Sequence, residues 1–321
     1  MIDPEEMMKT ARMAVEICTA VKPHEDVCIV TDINKTSIAD VLFLACRDVE
    51  AETVVLTMKP RQIHGNEPPR VIAAAMAAAD VVFTPTTYSI THTDAMVEAC
   101  EAGARALILR GITQEMMVKG AMTADYIRLR ERTQRVADRL SEASVVHVLS
   151  KHGTDVKMSL DKKRAAVLAG FATEPGTFAA LPDGEAPICP VEGTAEGTVV
   201  FDHTMDGVGR LKQPIKLVVE GGKAVEIKGG EEAERLREII ASSDEYATNI
   251  AEFAIGTNPR ALLIGNMAED KKKEGSVHIA IGDNHKLGGT VTSSIHLDGL
   301  MVAPTVMLDG ETLVEDEKIL I

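Results

Sequence analysis

Tryptophan is absent, and aromatic residues make up only 3% of the 321 residues, so Ala, Val, Ile, Leu and Met must fill the interior. Positive charge is also short: 34 Lys and Arg against 49 Asp and Glu leave a formal net charge of −15. A phosphate backbone needs clustered Lys and Arg, so a nucleic-acid partner is set aside, and solubility is the commonest meaning of such a charge. The five cysteines, Cys18, Cys28, Cys46, Cys100 and Cys189, form no C-x-x-C pair. Four of them sit inside apolar helical or strand patterns, as buried thiols do. None shows the electropositive surroundings that a nucleophilic thiol needs. No run approaches the ~18 apolar residues of a membrane span. The first residues, MIDPEEMMKTARM, are acidic and lack the long apolar segment of a signal peptide. The expectation is a soluble protein of a reducing cytoplasm, with no membrane partner. No G-x-G-x-x-G follows the first strand, and neither G-x-x-x-x-G-K-[ST] nor G-x-S-x-G occurs, which weakens nucleotide binding and serine hydrolysis alike.

What is present divides into two patterns. Up to about residue 110, apolar runs alternate with amphipathic stretches. Pro4–Val21 reads as a helix capped by Asp3. Thr36–Asp48 carries Ala39, Leu42, Phe43 and Cys46 at i, i+3, i+4 and i+7. Strands are expected at Val27–Thr31, Thr53–Met58, Val81–Thr84 and Ala106–Leu109, and further helices at Arg70–Ala79 and Thr93–Ala102. This spacing implies βαβ units in a doubly wound parallel sheet. After a long charged helix, Thr123–Ala143, strands are joined by Gly and Pro turns, the pattern of an α+β fold with mostly antiparallel strands. The length suits two domains. We place an α/β domain at 1–143 and an α+β metal-binding domain at 144–321.

Two places draw attention for chemistry. Thr84–Thr93 follows a parallel strand at its carboxyl end, where ligands of open α/β sheets bind. Tyr88 and His92 are cleft candidates there; the plainer reading is a loop whose Ser and Thr residues cap the next helix. The second place is Ser276–Gly299, which holds His278, His285 and His296. Val277–Ile281 reads as one strand, Gly282–Gly289 as a loop, and Thr290–Leu297 as the returning strand. His296 and Asp298 stand at i and i+2, so on a strand both side chains point to one face. Imidazole and carboxylate together start a divalent metal site, and a solvated hairpin is the alternative. Glu185 follows a turn, and Glu252 is the one charge in the eleven residues Asn249–Pro259. A carboxylate in apolar surroundings should be paired or metal-bound, the alternative for each being an exposed glutamate at a turn.

Five segments, in order, resemble the metal-binding half of the thermophilic metalloaminopeptidase family, the aminopeptidase T and aminopeptidase S type. They are LPDGE (181–185), EGTVVFD (196–202), NIAEFAIGTNP (249–259), GSVHIAIGDN (275–284) and HLDG (296–299), with the Gly-Lys-Ala-Val strand at 222–225 between them. The resemblance covers roughly residues 140–310 well and the α/β half loosely. It implies a pair of divalent metals (Zn, Co or Mn) on Glu185, Glu252, His278, His296 and Asp298, and a homodimer, for which Ala186–Val191 could supply contact. Two such metals ~3.5–4 Å apart can activate a bridging water against a peptide carbonyl. The catalytic candidates are Glu185 and His285, the latter at the position of a family tyrosine. The loop between the two histidines is also shorter than in the peptidases. A related branch, the 2,5-dihydroxypyridine ring-cleaving dioxygenases, uses one Fe(II) on two histidines and one aspartate, and there a histidine stands where this chain has Glu252. Glu252 leans the expectation to a metal-dependent hydrolase acting on a peptide N-terminus or small amide. The Fe(II) dioxygenase is the alternative, and a non-catalytic binding protein the third reading.

Overall fold

The computed structural model describes residues 2–161 and 163–321. The chain is an α/β protein with one parallel sheet and two antiparallel ones. It divides into two units: the first runs to Ile127 and adds Ala169–Asp183, and the second holds Arg128–Leu168 and Gly184–Ile321. No helix among the described residues is long and apolar enough to cross a membrane.

In the first unit, the helix Pro4–Arg12 is capped as expected: the Asp3 carboxylate accepts from the Glu5 amide at 3.0 Å. It does not continue as α-helix to Val21. Met13–Cys18 widens into a π-turn, because the Thr19 hydroxyl donates to the Ala14 and Val15 carbonyls at 2.9 and 3.0 Å and offers them a partner outside the ordinary ladder. The sheet order is Glu52–Met58, Asp26–Asp32, Val81–Thr84, Arg105–Ile108 and Phe178–Ala180, all parallel. Val81–Thr84 and Arg105–Ile108 are buried throughout, as continuous apolar strands of a covered sheet must be. Helix Thr36–Asp48 buries Ile38, Ala39, Val41, Leu42, Ala45 and Cys46, the stripe its periodicity calls for. The strand Phe178–Ala180 was not anticipated. It is three residues long and partly exposed, and carries no strand pattern of its own.

The second unit contains an eight-stranded sheet, which includes the hairpin Val145–Leu149 and Asp155–Ser159, and a six-stranded sheet. The six-stranded sheet runs Gly209–Arg210, Thr204–Met205, His296–Met301, Val277–Gly282, Ile250–Gly256, Glu185–Ile188. Strand alternation gives it two unlike faces. Ile188, Phe253, Ile255, Val277, Ile279, Ile281 and Met301 point to one face and join the hydrophobic core. Gly299 lies among them because a Cβ there would meet the Phe201 ring at 2.5 Å. The opposite face carries Glu185, Glu252, His278, His296 and Asp298, interleaved with Ala254, Gly256, Ala280 and Gly282.

The returning strand of the histidine hairpin begins later than expected, at His296 rather than Thr290. Side chains take up the backbone donors that strand pairing would have used. Asn284 accepts from the Val291 amide (2.8 Å), Asp283 from Ser293 (3.2 Å) and Asp244 from Ser294 (2.5 Å), while Glu192 accepts from the Thr290 amide at 2.8 Å. The stretch Ala186–Val191 is also placed differently from the expected surface contact. Its strand is the last of the six-stranded sheet, paired with Ile250–Gly256, and every residue up to Pro190 is buried in the chain's own fold.

Candidate metal centre

Register assembles the site. Glu252, Ala280 and Asp298 lie in one row across three strands, His278 pairs with Ala254, His296 with Gly282 and Glu185 with Gly256. Partners opposite one another in an antiparallel sheet stand roughly 4.5–5.5 Å apart, and Ala or Gly between the donors leaves room for their side chains to converge. The pairing of Ile250–Gly256 shifts register between Ile250 and Glu252, a bulge of the kind that re-aims a side chain. It lets Ile250 join the core together with Phe253, while Glu252, next to Phe253, faces the other donors.

Two groups result that could hold a metal ion: Glu185, Glu252 and His278, and Glu252, His296 and Asp298. Glu252 belongs to both. One of its oxygens is 3.1 Å from His278 Nε2 and the other 3.1 Å from His296 Nε2. His296 Nε2 is 3.4 Å from Asp298 Oδ1, and His278 Nε2 is 3.6 Å from Glu185 Oε2. His296 donates its Nδ1–H to the Asp283 carbonyl at 2.7 Å, which turns Nε2 inward as a ligand atom, the usual arrangement for a metal-bound histidine. Two lysines that the sequence reading did not single out also reach the cluster. Lys271 Nζ lies 2.9 Å from Asp298 Oδ2 and 3.3 Å from Glu185 Oε1, and Lys272 Nζ 2.8 Å from Glu185 Oε1. They sit in Glu269-Asp270-Lys271-Lys272-Lys273-Glu274, which reads as a solvated charged run.

The donor set fits a divalent metal. Glu185 Oε2 and Asp298 Oδ1 are buried with no hydrogen-bond partner among the described residues, a costly state for a carboxylate oxygen unless a cation supplies the contact. Burial pushes the Glu252 carboxyl up, but hydrogen bonds from His278 and His296 hold it down at about 2. Burial likewise opposes ionisation of Asp298 and Glu185, and the neighbouring cations and histidines, Lys271 foremost, together outweigh it in both. Burial pulls His296 down, but the adjacent Asp298 and Glu252 carboxylates raise it to about 11. Below that value the metal-free imidazole keeps a proton that an incoming metal must displace, while the carboxylates are already ionised. Loading at pH 7 is therefore expected to release about one proton per ion, with affinity rising about tenfold per pH unit. Calorimetry in two buffers of different ionisation enthalpy reads the proton directly; no release would show that His296 is already neutral.

The remaining candidates lie elsewhere. His285 is exposed on the turn His285–Leu287 and belongs to neither metal-capable group. Tyr88 and His92 are in the first unit, on the loop after Val81–Thr84. The Tyr88 ring stands edge-on to His64, with centroids 5.2 Å apart. Thr93 caps the next helix, accepting from the Met96 amide at 3.3 Å.

The sequence model of the NicX family, described as 2,5-dihydroxypyridine 5,6-dioxygenase, matches residues 6–321. The chain belongs to the NicX family. A relative named 2,5-dihydroxypyridine 5,6-dioxygenase, from Pseudomonas putida KT2440, is 28% identical over 258 residues, 75% of this chain and 71% of that protein. The solved structure of the Pseudomonas putida KT2440 dioxygenase superposes with a TM-score of 0.81 at 21% identity, covering 100% of this chain and 98% of that one. Wild-type AmpT of Thermus thermophilus gives 0.74 at 16% identity, covering 99% of each. The fold is thus the aminopeptidase T-like one, and within it this chain sits on the dioxygenase side.

NicX membership overturns the metal-dependent hydrolase expected from Glu252. The five resembling segments lie on strands and turns of a fold that both branches share, and the same imidazoles and carboxylates serve either chemistry. One carboxylate in place of an imidazole was too small a feature to choose between them. The protein is an enzyme of the NicX family with a donor set suited to a divalent metal.

Proposed function

We propose that the protein is a mononuclear Fe(II) dioxygenase that opens a dihydroxypyridine-type ring, inserting both atoms of O₂. The observation that carries this reading is the NicX match over residues 6–321, a span that includes the metal-capable cluster. Glu252, His296 and Asp298 would hold the ion, with Glu185 and His278 beside them. Fe(II) bound there supplies the redox chemistry that lets dioxygen react with a closed-shell ring.

The chain's own residues set the conditions for that chemistry. Glu185, Glu252, His278 and Asp298 are each 4% exposed or less, so water is kept from one side of the cluster. The His296 side chain is 34% exposed and marks the side open to a small planar substrate. Asp283 fixes the His296 ring through its carbonyl. Lys271 holds Asp298 and Glu185 together through one ammonium. A homodimer belongs to the same proposal on the strength of the family likeness, with a contact other than the buried Ala186–Pro190.

Oxygen uptake tests the reading. The protein reconstituted anaerobically with Fe(II) and given 2,5-dihydroxypyridine is expected to consume one O₂ per ring lost, and to release nothing from aminoacyl amides. Substrate-independent oxygen uptake, or amide cleavage with none of the ring, would sink it. Light scattering on the same preparation checks the dimer.

A further inference from the structure

We propose that Lys271 and Lys272 stand in for a second metal ion, so that the cluster takes a single divalent cation, on Glu252, His296 and Asp298. This deepens the reading above and rests on its metal centre, not on its oxygen chemistry. The ligand face carries enough donors for two ions, since Glu252 offers one oxygen to each group. Charge decides against two. Glu185, Glu252 and Asp298 contribute three negative charges, and the two ammonium groups among them contribute two positive ones. One divalent ion then leaves the cluster near neutrality. A second would add a further two positive charges to residues already almost wholly buried, where uncompensated charge is most costly.

The ammonium groups are also placed where a second ion would exert its attraction. Both approach the same oxygen of Glu185, and Lys271 bridges from it to Asp298. Glu185 is thereby committed to cations of the chain itself. Its neighbour His278 lacks the outer partner that fixes a metal-bound imidazole: its buried Nδ1 has no hydrogen-bond partner among the described residues. His296 has that partner in the Asp283 carbonyl. His278 therefore acts as a positioning residue, holding Glu252 through Nε2 at 3.1 Å, while His296 is the ligand.

The lysines reach the cluster through the backbone. Gly256, paired with Glu185, lies where a Cβ would be 2.2 Å from the Lys273 carbonyl and 2.8 Å from that of Lys271. The Asn258 amide donates to the Lys272 carbonyl at 2.8 Å. A strand edge without a side chain thus carries a charged run into the site.

Cobalt(II) titration of the metal-free full-length protein, read by calorimetry and by elemental analysis after desalting, tests the assignment without turnover. The wild type is expected to hold one Co(II) per chain, and the double variant Lys271→Met/Lys272→Met two. His278→Gln should retain one ion with affinity weakened by about 10–100-fold, as for an outer partner, and His296→Gln should bind none. Two ions per wild-type chain, a folded double variant that still holds one, or a single ion that survives His296→Gln but not His278→Gln, overturns the inference. If the double variant fails to fold, the single variant Lys271→Gln, which removes the bridge from Glu185 to Asp298, is read in the same way, and one ion there overturns the inference. Two ions with ring cleavage intact would leave the dioxygenase reading standing, and one ion without ring cleavage would remove that reading and leave this one.

Discussion

Glu252→Gln is expected to empty the metal centre and lower ring-cleaving activity by at least about 10²-fold while leaving the fold in place. Glutamine matches glutamate in shape and volume, so the buried strand Ile250–Gly256 keeps its packing. What disappears is the anion. Glu252 is the only residue shared by both metal-capable groups. It is also the carboxylate that both His278 and His296 approach at 3.1 Å. The amide can still accept one hydrogen bond, but its nitrogen is a donor where the carboxylate offered a second acceptor. Elemental analysis after desalting and the thermal midpoint separate the outcomes: metal lost with the midpoint of the metal-free protein unchanged is the expected result. Full occupancy and full activity would remove Glu252 from the centre. Glu252→His is the informative companion. It would set two imidazoles and Asp298 around one position, the facial set that suits Fe(II). Iron binding retained by that variant, with activity above that of Glu252→Gln, would show that the site tolerates either donor.

The parts of this fold that are legible in the sequence are those whose burial is local. Thr36–Asp48 and Val81–Thr84 have the bounds their patterns imply, because each buries a face that its own periodicity defines. His296 and Asp298 share a strand face for the same reason. Phe178–Ala180 escapes because three residues carry no period, and its place beside Arg105–Ile108 is set by a distant pairing. The late start of the His296–Met301 strand escapes because Glu192 and Asp244, far along the chain, take the loop's backbone donors. Lys271 and Lys272 are the clearest loss. Nothing about six consecutive charged residues says that two will be drawn against buried carboxylates. That follows only from a glycine about fifteen residues earlier and the close backbone approach it permits. The clustered histidines and carboxylates were therefore legible as a set, and the two ammonium groups drawn against them were not.

Gly256→Ala tests that dependence and should cost substantial stability through a single added methyl group. The position adopts no left-handed conformation, so alanine meets no backbone penalty, and any effect is steric. An added Cβ would lie 2.2 Å from the Lys273 carbonyl oxygen and 2.8 Å from both the Lys271 carbonyl and Ser276 Oγ. The two carbonyls are backbone and cannot rotate away, so the Lys271–Lys273 segment must move by roughly an ångström. Forced overpacking of this kind costs about 3 kcal/mol, occasionally more, or roughly 6–12 °C in thermal midpoint for a unit of this size. Displacing the segment also draws both ammonium groups away from Glu185. Loss of stability should therefore come with altered metal stoichiometry, whereas a purely structural glycine would show only the first. A variant that melts with the wild type would mean that the segment yields freely and that the lysines are not held where the structure places them.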